Sequence, residues 1–288
     1  MKVIPVVSLL SIMLSCNPEK ESKELFTEGH QLGQVDQRLR EASGLVASIN
    51  NPGFLWTLND SGNPAEVFLI DDHARVQLVC KLVDVRNRDW EDIAIGAGPV
   101  KGKNYLYVAD IGDNQAQFDF KYIYRFEEPL WSKEKEKLIT LIDTLVLRMP
   151  DSPRDAETLL IDPMGSDLFI ISKREQAVGL YHAPYPFGRD TLLLNKVLTL
   201  PMTQIVSGSI SADGQEVLLK DYDHVYYWKR SGKESLTRLL ASEPVELPYE
   251  REPQGEAIGW SRDAKAFYTL SESTKEKGAD LIVHTRTK

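Results

Sequence analysis

Four glutamates stand at the head of similar short apolar stretches: Glu41 in REASGLVAS, Glu91 in DWEDIAIG, Glu157 in DAETLLID and Glu256 in QGEAIGWS. Carboxylates recurring at equivalent places can do two kinds of chemistry. If they converge, they offer the hard oxygen donors that calcium prefers. Alternatively, each accepts backbone N–H groups from a neighbouring unit and fixes register with no ligand at all. A second polar set follows one strand later: Asn59-Asp60, Asp110 with Asp113-Asn114, Lys173-Arg174, Lys220-Asp221 and Glu272. Asp60, Lys173, Arg174 and Lys220 could meet an anionic or polar ligand, and Asp110 could join the four glutamates on a metal ion. Crowding these carboxylates together raises the pKa of some of them unless a metal or a cation compensates.

The glutamates mark an internal repeat. Successive steps are 50, 66 and 99 residues, and the last is close to twice the first. A further copy is therefore expected near residue 206, where IVSGSISADG begins at Ile205, shares Ser-Gly with the first copy (Ser207-Gly208 and Ser43-Gly44) and replaces the glutamate with apolar residues. A unit of this length cannot bury its apolar face alone and must stack on its neighbours. Within each unit, short β-branched and aromatic runs alternate with Gly, Pro, Asn and Asp clusters, and no long helical period is sustained. The chain is predicted to be all-β. Units one to four supply four strands each, with LITLIDTLVLRMP as the fourth of unit two. Unit five has three, and LFTEGHQLGQVD at residues 25–36 is left over to complete it. The prediction is a five-bladed β-propeller over residues 25–288, closed by an N-terminal strand so that no sheet edge is exposed. A six-bladed ring is the alternative. It would need about 41 residues per unit after Glu41, and the 66-residue step is too short to hide a second four-stranded unit.

In a blade the first strand lines the channel and the second returns antiparallel, so first-strand starts and second-strand ends share one face. That geometry gathers both polar sets at one channel mouth.

Residues 1–15, MKVIPVVSLLSIMLS, carry one Lys and then an apolar run too short to span a bilayer, with Ser15 before Cys16. This is the pattern of a lipoprotein signal peptide, with Cys16 as the lipidated residue and 16–24 as a polar tether. Asn17 does not resemble the Asp that retains bacterial lipoproteins at the inner membrane, so the expected location is the outer membrane of the cell envelope, reached through the lipid alone. Loss of the leader removes Lys2 and takes the formal charge from −9 to −10. So acidic a domain repels nucleic-acid phosphate. A monomer is expected, with a small molecule or a protein as its unidentified ligand.

Other chemistries find no support in the chain. The five histidines, His30, His73, His182, His224 and His284, include no pair at zinc-ligand spacing. Cys80 is the only thiol after Cys16 and lies in an apolar strand pattern, VQLVCKLVD. GAGPVKGKN falls one residue short of a phosphate loop and has Asn104 where Ser or Thr would hold magnesium, so it is expected to be a blade turn. NDSGN and DIGDN lack EF-hand spacing and fit Asx turns. Trp56, Trp90, Trp228 and Trp260 fall in strands and are expected in the core.

The motifs SGLVAS, LWTLNDSG, DWEDIA, YVADIGDN, EEP, DAETLLIDP, SGSISADG, QGEAI and TLSES occur in order between Glu41 and Glu272. On these the chain resembles a family of mostly uncharacterised secreted bacterial β-propellers. More distantly it is similar to the SdiA-regulated propellers and to propellers with esterase-like activity of phytase. The resemblance implies calcium binding, or hydrolysis of a phosphoester or ester, although folds of this kind host many functions. Unit four departs from the repeat by lacking its carboxylate, so the implied metal ring is not fully symmetric. The leading expectation is a lipid-anchored binding propeller that holds a divalent cation, a small ligand or both. A calcium-dependent hydrolase using Lys173 or Lys220 against developing negative charge and an interaction scaffold are the alternatives.

Overall fold

The computed structural model describes residues 25–274 and 278–287, so Cys16, the leader and the tether lie outside the described residues. Strand β1 (His30–Gln34) comes first in the chain and last in the ring. Blade one contains β2 (Ala42–Ala47), β3 (Leu55–Asn59), β4 (Glu66–Ile70) and β5 (Val76–Leu82). Blade two opens with β6 (Trp90–Ala97), β7 (Asn104–Asp110) and β8 (Lys121–Glu127). The chain then leaves it: β9 (Glu136–Ile139) runs parallel to β5 at the edge of blade one, and β10 (Asp143–Arg148) returns as the fourth strand of blade two. Blade three is β11 (Ala156–Ile161), β12 (Leu168–Ser172), β13 (Gly179–Ala183) and β15 (Asn195–Thr199). On the way, the two-residue β14 (Leu192–Leu193) pairs in parallel with β10. Blade four is β16 (Ser207–Ile210), β17 (Glu216–Lys220), β18 (Val225–Lys229) and β19 (Val245–Leu247), with one helical turn, α1 (Leu236–Leu240), capped by Ser235. Blade five is β20 (Ala257–Trp260), β21 (Ala266–Leu270) and β22 (Asp280–Thr285), completed by β1.

The ring is a five-bladed β-propeller, as the repeat predicts, and the N-terminal strand closes it. His30 pairs with Val283 and Gln34 with Asp280. Phe26 anchors the closure, packing on Phe267, Trp260 and Tyr227 at centroid distances of 5.1, 5.8 and 6.2 Å. The predicted single strand LITLIDTLVLRMP is in fact two. The first strand, β9, reaches back to Glu136, and the two have charge partners in different blades: Glu136 meets Lys81 at 2.7 Å in blade one, and Asp143 of β10 meets Arg125 in blade two. These strand exchanges stitch blade one to two and two to three. Apolar clusters fill the interfaces between blades, and they bury the four strand tryptophans and Cys80. GAGPVKGKN makes the turn between β6 and β7.

Midway down the channel the inner strands close on one another. Asp92 Oδ2 accepts the N–H of Leu159 at 2.9 Å, the Ser207 and Ser209 hydroxyls accept the N–H groups of Ile258 and Trp260 at 3.3 and 3.2 Å, and the Ser43 hydroxyl donates to the Glu91 carbonyl. Gly44, at φ +69°, has no room for a side chain, since a Cβ there would lie 2.6 Å from the Ile93 nitrogen. Beyond this floor, the far ends of all five first strands surround a cavity of about 220 Å³, lined among others by Leu45, Ile93, Leu159, Ile210 and Trp260 and by the polar Asn104, Ser209 and Arg262. The polar mouth lies at the opposite end.

Candidate functional site

The first strands start at the polar mouth. In two of them the glutamate occupies a β-bulge. The β6–β7 register jumps from Trp90 to Asp92 and the β11–β12 register from Ala156 to Thr158, which leaves Glu91 and Glu157 without a partner across the ladder. A bulge residue is free of the pleat and can re-aim its side chain. Both glutamates point into the mouth and are nearly enclosed, at 4% exposure each.

Two groups of three carboxylates form there. One oxygen from each of Asp60, Asp89 and Glu91 lies within 4.8 Å of the others, and the same holds for Glu91, Asp155 and Glu157. Glu91 belongs to both. Asp89 and Asp155 escape a reading based on glutamates alone, although a signal for them exists. Arg88-Asp89-Trp90-Glu91 and Arg154-Asp155-Ala156-Glu157 repeat Arg-Asp-x-Glu, and a spacing of two puts both acids on one side of an extended chain. DIGDN also has a role, because its Gly112 packs against the pair: a Cβ there would fall 2.1 Å from Glu91 Oε1 and 2.5 Å from the Asp89 carboxyl carbon.

The two groups differ in their company. Lys173 donates to Glu157 and, at 2.9 Å, to the Tyr222 hydroxyl, and its ammonium lies 3.8 Å from Glu256. Tyr222 donates in turn to Glu256. Blade four, whose first strand has no glutamate at its head, thus supplies a phenol at the same mouth. Arg174 Nε donates to Asp155 at 2.5 Å, and the opposite Asp155 oxygen accepts the Asp113 N–H at 2.8 Å. By contrast, no ion pair among the described residues involves Asp60, Asp89 or Glu91. The Asp60 carboxylate accepts from its own turn, at the Ser61 N–H, and Asp89 is hydrogen-bonded to the Ser61 side chain. Glu91 has neither. Among the described residues no donor hydrogen-bonds its carboxylate.

The protonation equilibria follow. Burial, and then the charges of Glu157, Asp60 and Asp89, hold the Glu91 pKa well above the usual carboxylate range, against the pull of Lys173. Burial likewise pushes Asp60 up to about 7, helped by Asp89, Glu256 and Glu41. Glu272, half-buried, rises to about 8 through desolvation and the charge of Glu256, to which it is hydrogen-bonded. Burial alone would lower the Lys173 pKa, but Glu157, Tyr222 and Glu256 outweigh it and the net shift is upward.

The remaining predicted site residues are placed differently. Glu41 is exposed and accepts from Asn63 Nδ2 at 2.5 Å at the rim, next to Asp60. Glu256 is buried and occupied by Tyr222 and Glu272 rather than by the triads. Asp110 stands outside both groups: its Oδ1 lies 3.2 Å from Arg88 Nε and its Oδ2 accepts from Tyr124 at 3.3 Å, between the second and third strands. Lys220 is fully buried. Its ammonium donates to the Gly255 and Asp221 carbonyls at 2.6 and 2.9 Å and lies 4.4 Å from the Tyr249 ring centre. Burial depresses its pKa to about 8, against the pull of Glu252 and Asp221. It therefore ties blade four to blade five.

Comparison with protein-family models finds no match, and neither does comparison with curated proteins. The geometry of the mouth alone carries the functional argument.

Proposed function

We propose that this protein is a lipid-anchored, extracytoplasmic β-propeller whose channel mouth binds a divalent cation, with calcium the first candidate. The observation that carries the reading is Glu91. A buried carboxylate without a donor or a bonded cation is costly to ionise. A cation held between Asp60, Asp89 and Glu91 removes that cost. Oxygens within 4.8 Å of one another can all be reached by one ion at calcium–oxygen distances of about 2.3–2.6 Å. Calcium takes six to eight oxygens, so three carboxylates leave coordination positions for water or for an oxygen of a small ligand entering from the mouth. Arg174, half-exposed beside Asp155, could meet an acidic group on such a ligand.

The test is thermal unfolding of metal-stripped protein. Excess calcium should raise the melting temperature, since a ligand at a hundredfold its dissociation constant stabilises the native state by about 2.7 kcal/mol. Glu91→Gln should lose most of that rise, whereas an equal rise in both proteins sinks the reading. The hydrolytic alternative draws on Lys173, which is paired with Glu157 in the neighbouring carboxylate group. It requires calcium-dependent turnover of a phosphoester or lactone probe that Lys173→Met abolishes.

A further inference from the structure

We propose that the mouth holds two cations bridged by Glu91, one between Asp60, Asp89 and Glu91 and a weaker one between Glu91, Asp155 and Glu157. The inference rests on the cation reading above and assigns it a stoichiometry and an internal competitor.

The two triads share one residue. Glu91 is 4% exposed, accepts no hydrogen bond among the described residues, and lies within 4.8 Å of both sets of partners. A carboxylate has two oxygens and about four lone-pair sites, so an unoccupied one can give an oxygen to each of two ions. Carboxylate-bridged pairs of this kind hold their ions about 3.5–4 Å apart. The bulge at Glu91 supplies the aim, and Gly112 leaves the space beside Oε1.

The positions are unequal because their charges are. Three carboxylates and no bonded cation make up the first. In the second, Lys173 already sits on Glu157 and Arg174 on Asp155. An ion entering there must share those carboxylates with two fixed positive charges, and its affinity falls accordingly. Lys173 is thus a built-in competitor of the second ion, and its ties to Tyr222 and Glu256 hold it in place.

Calorimetric titration of the metal-stripped full chain with calcium chloride tests this. Two ions per chain are expected, the second weaker. Asp155→Asn should reduce the count to one and keep the tight ion, and Asp60→Asn should remove the tight ion. Lys173→Met should tighten the second by at least about tenfold, the effect of removing one unit charge at close range. One ion in wild type, with no gain in Lys173→Met, overturns the bridged pair and leaves the cation reading standing. No ion at all overturns both. Should Lys173→Met not fold, energy transfer from terbium to europium in the doubly loaded wild type decides: efficient transfer supports adjacent ions, and terbium emission untouched by europium overturns them.

Discussion

Glu91 and Asp92 are adjacent in sequence and both enclosed, yet the Asp92 carboxylate accepts the Leu159 and Ile93 N–H groups at 2.9 Å each while that of Glu91 accepts none. Asp92 is paired across the ladder and faces the next blade, whereas Glu91 is the bulge residue turned to the mouth. One carboxylate holds the ring in register and its neighbour is left for a ligand. Asp92→Ala strands two buried N–H groups and should cost about 2–4 kcal/mol in denaturant unfolding, with the calcium stoichiometry unchanged. Glu91→Gln should leave the metal-free protein at least as stable as wild type and remove the calcium response. Reversed outcomes would exchange the two roles.

Acidity at the mouth gives the metal-free protein a characteristic pH response. Asp60 is raised from 3.8 to about 7 and Glu272 from 4.5 to about 8, so the folded state binds more protons than the unfolded state between those values. Their contribution is full below the unfolded pKa and is lost as pH rises through the folded one. Stability of the stripped protein should therefore decline from about pH 4 toward pH 8 on this account. Asp60→Asn and Glu272→Gln should gain on wild type as the pH is raised from 5 to 8 in parallel urea titrations. Curves that stay parallel would show that these groups titrate normally.

Closure of the ring makes the N-terminal segment a structural element. Phe26 is 1% exposed among Phe267, Trp260 and Tyr227, with the Arg286 guanidinium 4.6 Å from its ring centre. Phe26→Ala should cost about 3–5 kcal/mol and lower a single cooperative transition of the whole domain. Truncation through residue 36, which removes β1, should cost more. A wild-type melting temperature in the truncated chain would mean that blade five stands without its fourth strand.

For the leader, the expectation rests on Ser15-Cys16 after an apolar run. In a bacterial host the protein should fractionate with membranes and incorporate labelled fatty acid, and Cys16→Ala should abolish both. Labelling that survives the substitution would remove the lipoprotein assignment.

The fold was legible in the sequence because a repeat copies its strand pattern and its turn residues together. Five starts, an orphan strand before Glu41 and the shared acidic heads suffice for a closed ring with an acidic mouth. The partners of each carboxylate were not legible, because pairing across blades depends on distances between segments that no local pattern encodes. Burial diverts Asp110 to Arg88 and fastens Lys220 to the carbonyls of the next blade. Tyr222 enters the site from a blade whose repeat position lost its acid. The split of residues 136–148 between two sheets was hidden for the same reason, since both halves carry the alternation of a strand and only contacts with different blades separate them: Ile139 packs in one apolar cluster, Leu145 and Leu147 in another, and Lys81 and Arg125 meet the two acids. Sequence alone determined that carboxylates gather at one mouth. The tertiary structure decided that Glu157 is neutralised by Lys173 and that Glu91 is not, because a buried charge takes its character from whatever the fold sets within a few ångströms of it.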